Sequence, residues 1–125
     1  MKKLALLFLF LTTILLTGCI STQQVENDNL SREKAWYRLR NECAWQLSVS
    51  VTQKGLPSSK QTLTLGQSAQ ALELYKDADY VISIKGTYDS SVHTFSIHTD
   101  DKNLLVFDWS SYDAKYHLKS GKSMF

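Results

Sequence analysis

The residues of this chain whose types can do chemistry are three histidines, two cysteines and two close pairs of aspartates. His93 and His98 stand five apart in a segment that alternates like a strand, so they face opposite sides and share no metal ion. His117 stands apart from both, and all three read as solvated or sheet-edge side chains. Asp77 with Asp79, and Asp100 with Asp101, offer oxygen ligands. Neither pair has the spaced oxygens, central glycine and closing glutamate of an EF-hand loop, and both read as turn formers. The serines sit in turns or at outward strand positions, with no Gly-x-Ser-x-Gly elbow to strain one into reactivity. Cys43 with a distant histidine is only a nominal Cys/His pair. No catalytic residue, metal ligand or bound cofactor is assigned, and the chain reads as a non-enzyme.

The other cysteine carries a more specific chemistry. Cys19 closes the segment MKKLALLFLFLTTILLTGC, in which Lys2 and Lys3 precede an almost unbroken apolar run from Leu4 to Leu16. That run falls short of the roughly 20 residues a helix needs to span a hydrocarbon core, and reads as the apolar part of a secretory signal. Leu16-Thr17-Gly18-Cys19 resembles the bacterial lipobox read by signal peptidase II. The resemblance implies cleavage between Gly18 and Cys19, a diacylglycerol thioether on Cys19 and, in many bacteria, a further acyl chain such as palmitate on its amine. Each buried CH₂ contributes about 0.8 kcal/mol, so two or three chains hold the protein stably to a membrane that it does not cross. Ile20 stands where an inner-membrane lipoprotein would carry Asp, which in a Gram-negative source implies the outer membrane, facing the periplasm.

Removing the leader changes what remains. The 125 residues fall to 107, enough for one domain with a modest core. Lys2 and Lys3 leave too, which brings 14 Lys+Arg down to 12, level with the 12 Asp+Glu. A neutral domain lacks the basic field that nucleic acid requires, so no nucleic-acid partner is expected. With Cys19 committed to lipid, Cys43 has no intramolecular disulfide partner. It is read either as a buried, inert thiol or as half of an intermolecular disulfide.

The elements follow from periodicity. Ile20 to Asn29 is polar, aperiodic and free of aromatic residues, which predicts a flexible tether. Residues 1–18 are thus read as signal peptide, 19–33 as lipidated cysteine and tether, and 34–125 as the folded domain. From Tyr37 to Val51 apolar residues keep to odd positions, predicting one buried strand face. Lys54 to Ser59 holds the only proline and predicts a loop. Short alternating runs follow at Gln61–Leu65, Ala69–Tyr75, Tyr80–Ile84 and His93–Thr99, and Leu104–Trp109 is nearly continuous apolar, as a central strand covered on both faces would be. Six or seven strands without a convincing long helix predict an all-β domain, either a small antiparallel β-sandwich, immunoglobulin-like or related, or a small barrel.

The last stretch mixes Tyr112, Lys115, Tyr116, Lys119 and Lys122 into a basic, aromatic segment. It is read as a contact patch for anionic headgroups, cell-wall polymer or an acidic protein face, or as an edge strand from Lys115 to Leu118 whose lysines discourage aggregation. The expected role is a lipid-anchored binding or assembly accessory, with an envelope protein as partner in secretion, pilus or surface-polymer assembly. Two alternatives accompany it. One is inhibition of a wall-degrading enzyme, since Ser120-Gly121-Lys122 is similar to the Ser-Gly part of the loop motif of membrane-bound inhibitors of C-type lysozyme, which are also small β-rich lipoproteins. The other is surface exclusion. Replacing Cys19 by Ser is expected to abolish labelling with radioactive palmitate and leave an uncleaved precursor on gels; unchanged processing and membrane attachment would refute the lipobox reading.

Overall fold

The computed structural model describes residues 22–87 and 90–122. The leader, Cys19 and Ile20 lie outside the described residues. Two compact units follow one another along the chain, with the division after Ser31.

In the first unit, the segment expected to be an irregular tether is helical over residues 22–30 (α1). Local polar bonds explain what hydrophobic periodicity missed. Gln24 Nε2 donates to Asp28 Oδ1 one turn on at 3.0 Å, and the Asp28 carbonyl is closed by the Ser31 amide at 3.2 Å and hydroxyl at 2.9 Å.

The second unit contains eight strands: β1 Lys34–Asn41, β2 Leu47–Gln53, β3 Gln61–Leu65, β4 Gln70–Tyr75, β5 Asp79–Gly86, β6 His93–His98, β7 Leu104–Ser110 and β8 Lys115–Gly121. They form two four-stranded sheets, ordered β4-β1-β7-β8 and β3-β2-β5-β6. The domain is therefore a sandwich and not a barrel. It departs from the expected all-antiparallel arrangement at one pair: β1 and β7 run parallel, with Arg38 opposite Leu104 and Asn41 opposite Phe107. The two strands can be parallel neighbours because the whole second sheet is threaded between them in sequence. The immunoglobulin order, in which the first strand pairs with the second, is likewise not the one seen.

The strand count exceeds expectation because the odd-position run from Tyr37 to Val51 is two strands in different sheets. Tyr37, Leu39 and Asn41 point inward from β1, and Leu47, Val49 and Val51 from β2. The chain changes sheets over residues 42–46 without losing parity, so Cys43 and Trp45 lie in the crossover and in neither strand. Asn41 organises this bend. Its Nδ2 donates to the carbonyls of Trp45 at 2.8 Å and Leu65 at 3.0 Å, and its Oδ1 accepts from the Cys43 amide at 2.8 Å.

The core lies between Tyr37, Leu39, Leu105 and Phe107 of one sheet and Val49, Val51, Ile82 and Ile84 of the other. Strand β7 is central, as predicted, but only its inward residues Leu105 and Phe107 are buried; Leu104, Val106 and Asp108 are half-exposed. At one end an aromatic cluster closes the sandwich. Trp45 Nε1 donates to the Tyr116 hydroxyl at 2.8 Å, and Trp109 packs edge-on against both rings. Trp45 and Tyr116 rest on Gly86, where an added Cβ would sit 2.5 Å from the Tyr116 oxygen. Replacing Asn41 by Ala strands two carbonyls and an amide in a buried bend, and is expected to lower unfolding free energy by about 2–4 kcal/mol, read as a reduced urea midpoint at unchanged m-value.

Candidate functional site

The two long sides of the sandwich are built differently. On the side of β3 and β4 a short turn joins the sheets, Asn41 reaches the Leu65 carbonyl, and Gln70 Nε2 donates to the Thr64 carbonyl. On the other side the edge strands β6 and β8 have no sequence connection to each other. Among the described residues each pairs on one flank only, β6 with β5 and β8 with β7.

Between these edges the sandwich opens into a cleft of about 290 Å³, at the small end of the roughly 300–1,000 Å³ that ligand pockets occupy. Its floor is apolar: Phe95 and Ile97 from β6, Leu105 from β7 and Leu118 from β8, with Tyr37 behind. Phe95, Ile97 and Leu118 point inward but are only half-buried, because no further strand covers them. The rim is polar and carries Ser120, Asp100 and Lys102. The Tyr37 hydroxyl donates to the Asp100 carbonyl at 3.1 Å, and burial pushes its pKa up, so it stays a neutral donor. Asp100 Oδ1 accepts from the Lys102 amide at 2.8 Å, which fixes the turn entering β7.

The wall at the end of β6 is tied to the turn between β4 and β5. Thr99 is buried; its hydroxyl donates to the Tyr75 carbonyl at 2.7 Å and accepts from the Ala78 amide at 2.9 Å. Backbone bonds from Asp77 N to Thr99 O and from Thr99 N to Ala78 O double the attachment. Outside them, His98 lies between Asp79 and Asp77, with Nδ1 2.8 Å from the first carboxylate and Nε2 2.7 Å from the second. The aspartates read as simple turn formers and the histidine read as solvated thus meet in one cluster. The carboxylates take opposite edges of the ring, and among the described residues no three His, Cys, Asp or Glu side chains are placed to hold one metal ion.

The predicted C-terminal patch is not a single surface. Tyr112 stands at the tip of the β7–β8 hairpin, 99% exposed, while Tyr116 is only 6% exposed and belongs to the aromatic cluster. Tyr116 is thereby removed from the contact residues, because strand alternation turns it inward between Lys115 and His117. Lys115 opens β8 and Lys122 follows its last residue, about 23 Å away at the rise of a strand. Lys119 pairs with Asp108 at 3.8 Å. The strand runs on to Gly121, past the predicted end at Leu118, and so Ser120 and Gly121 occupy a strand where the inhibitor resemblance would need a loop. Phe95 and Ile97 were legible as sharing one strand face; their convergence with Leu118 was not, since β6 and β8 lie in different sheets.

Cys43 is half-buried beside the Phe107 carbonyl, and burial together with Asp108 and Glu42 pushes its thiol up to about 11. No protein-family model matches the sequence, and no curated protein matches it. The raised thiol pKa gives a measurable consequence. Alkylation of Cys43 by iodoacetamide at neutral pH is expected to run about 100-fold slower than for a free cysteine, and non-reducing electrophoresis is expected to show a monomer. A disulfide-linked dimer or partner band would overturn the inert reading.

Proposed function

We propose that this protein is a lipid-anchored binding module of the bacterial envelope, held to the outer membrane by acylated Cys19, which receives an extended segment of a partner protein in the cleft between β6 and β8. One observation carries the reading: two edge strands, each paired on one flank only among the described residues, border a half-exposed apolar slot. An added strand would pair along the outer flank of one edge while every second side chain enters the slot, the division of labour of strand addition. The volume suits one or two apolar side chains. Lys115 and Lys119 on β8 disfavour indiscriminate edge pairing, so the segment received must match the strand in charge as well as in alternation. The anchor supports this role by confining the module to the surface where envelope assemblies form, which raises its effective concentration there without any added contact.

Site-specific photocrosslinking on the lipidated protein in native envelopes tests this. A benzoylphenylalanine at Lys102, on the cleft rim, is expected to give a discrete protein adduct that disappears when Ser120→Trp fills the slot, while the same probe at Thr62 on the closed side gives none. Equal adducts at both positions, no adduct at Lys102, or an adduct insensitive to Ser120→Trp would reject the proposal.

A further inference from the structure

We propose that His98 is a proton-operated latch that holds the wall of the cleft in its receptive shape when the imidazole carries both ring protons, and loosens it when one is lost. The inference rests on the reading of the cleft as the binding site, and names how that site is regulated.

The geometry allows one fully bonded protonation state at neutral pH. Ionised carboxylates only accept hydrogen bonds, and His98 places one ring nitrogen against each: Nδ1 against Asp79 Oδ1 and Nε2 against Asp77 Oδ1. An imidazolium donates at both nitrogens. A neutral imidazole donates at one and turns a lone pair toward the other carboxylate, which repels it. Loss of one proton therefore breaks one arm of the clamp, whichever tautomer forms. The groups facing the ring are Asp79 on β5 and Asp77 in the β4–β5 turn; Arg32 Nε donates to the Asp77 carbonyl at 3.0 Å, and the charged residues next along the chain are Lys76 before Asp77 and Asp100, Asp101 and Lys102 after β6. Bonding to Asp79 and then Asp77 raises the His98 pKa above its ordinary value of 6.5. All three side chains are more than half exposed, so the proton exchanges directly with solvent.

The clamp acts on the cleft through its neighbours in sequence. Asp77 holds a left-handed backbone, φ 55°, a conformation that a side-chain bond helps to maintain. Thr99 fastens Tyr75 and Ala78, and the Asp100 carbonyl takes the Tyr37 hydroxyl. His98, Thr99 and Asp100 all line the cleft. With both arms made, this wall is ordered before a partner arrives; with one broken, a partner must order it. The sign follows from the raised folded-state pKa: the stabilisation is complete below the unfolded value near 6.5 and is lost as pH rises through the higher folded value.

The test uses the partner-free protein first. Nitrogen-15 NMR of the His98 ring is expected to titrate above 6.5. Exchange of the Asp77, Ala78 and Thr99 amides, corrected for intrinsic rates, is expected to rise about threefold between pH 6 and 8.5 with the same midpoint, as suits an exposed ion pair. His98→Gln, which keeps one donor, is expected to show the fast exchange at both pH values. A ring that titrates at or below 6.5, or amide exchange that ignores its midpoint, overturns the latch whatever binds in the cleft. Crosslinking from Lys102 is then compared at the two pH values. A several-fold fall at pH 8.5 that His98→Gln abolishes supports gating; pH-independent crosslinking overturns it. If no adduct forms at either pH while the ring and amides behave as expected, the binding reading of the cleft fails, and gating fails with it.

Discussion

The fold depends on a buried amide at the point where the chain leaves one sheet for the other. Asn41, 9% exposed, uses both hydrogens and the oxygen of its side chain on main-chain groups: the Trp45 and Leu65 carbonyls and the Cys43 amide. A main chain that turns through a core presents polar groups it cannot pair along a ladder, and an unpaired one costs roughly as much as a lost hydrogen bond. Asn41 supplies those pairings from a strand position, so the crossover stays inside and the inward parity of Leu39 continues into Leu47. Among the described residues no buried side-chain polar atom is left without a partner.

From that bend the asymmetry of the domain follows. Asn41 also ties β1 to the end of β3, which closes one side of the sandwich and aligns the aromatic group of Trp45, Trp109 and Tyr116 over Gly86 at one end. On the opposite side no turn joins the two edge strands. There β6 and β8 meet only across their side chains, and the apolar residues they turn inward are left half-covered. A small sandwich with four strands per sheet has little apolar area to spare, so an uncovered slot is a cost to the folded state that a bound segment would offset. The same side carries the Asp79–His98–Asp77 cluster, where the turn from β4 to β5 and the end of β6 are held by groups open to solvent.

Several features escaped the sequence, each for its own physical reason. Tyr116 was grouped with its lysine neighbours because sequence adjacency ignores that strand residues alternate between faces. The pair Asp77 and Asp79 was weighed apart from His98 because 21 and 19 residues separate them from it, although the register of β5 and β6 sets Asp79 directly opposite His98. The helix over residues 22–30 was missed because its local bonds are polar and hydrophobic periodicity does not register them. The eighth strand was hidden by a crossover that preserves parity.

The sequence alone was enough to determine most of the strands, many of their inward residues and the turns between most of them, because a period of two and the turn-forming residues act within a few positions of the chain. It was also enough to carry the lipobox expectation, since a peptidase reads a linear segment. Only the tertiary structure decided which strands became neighbours, that β1 and β7 run parallel, and that β6 and β8 border an open cleft. Those outcomes depend on contacts between residues far apart in sequence, whose free energies are set jointly by packing across two sheets and by where one buried amide finds its partners. No local pattern encodes that.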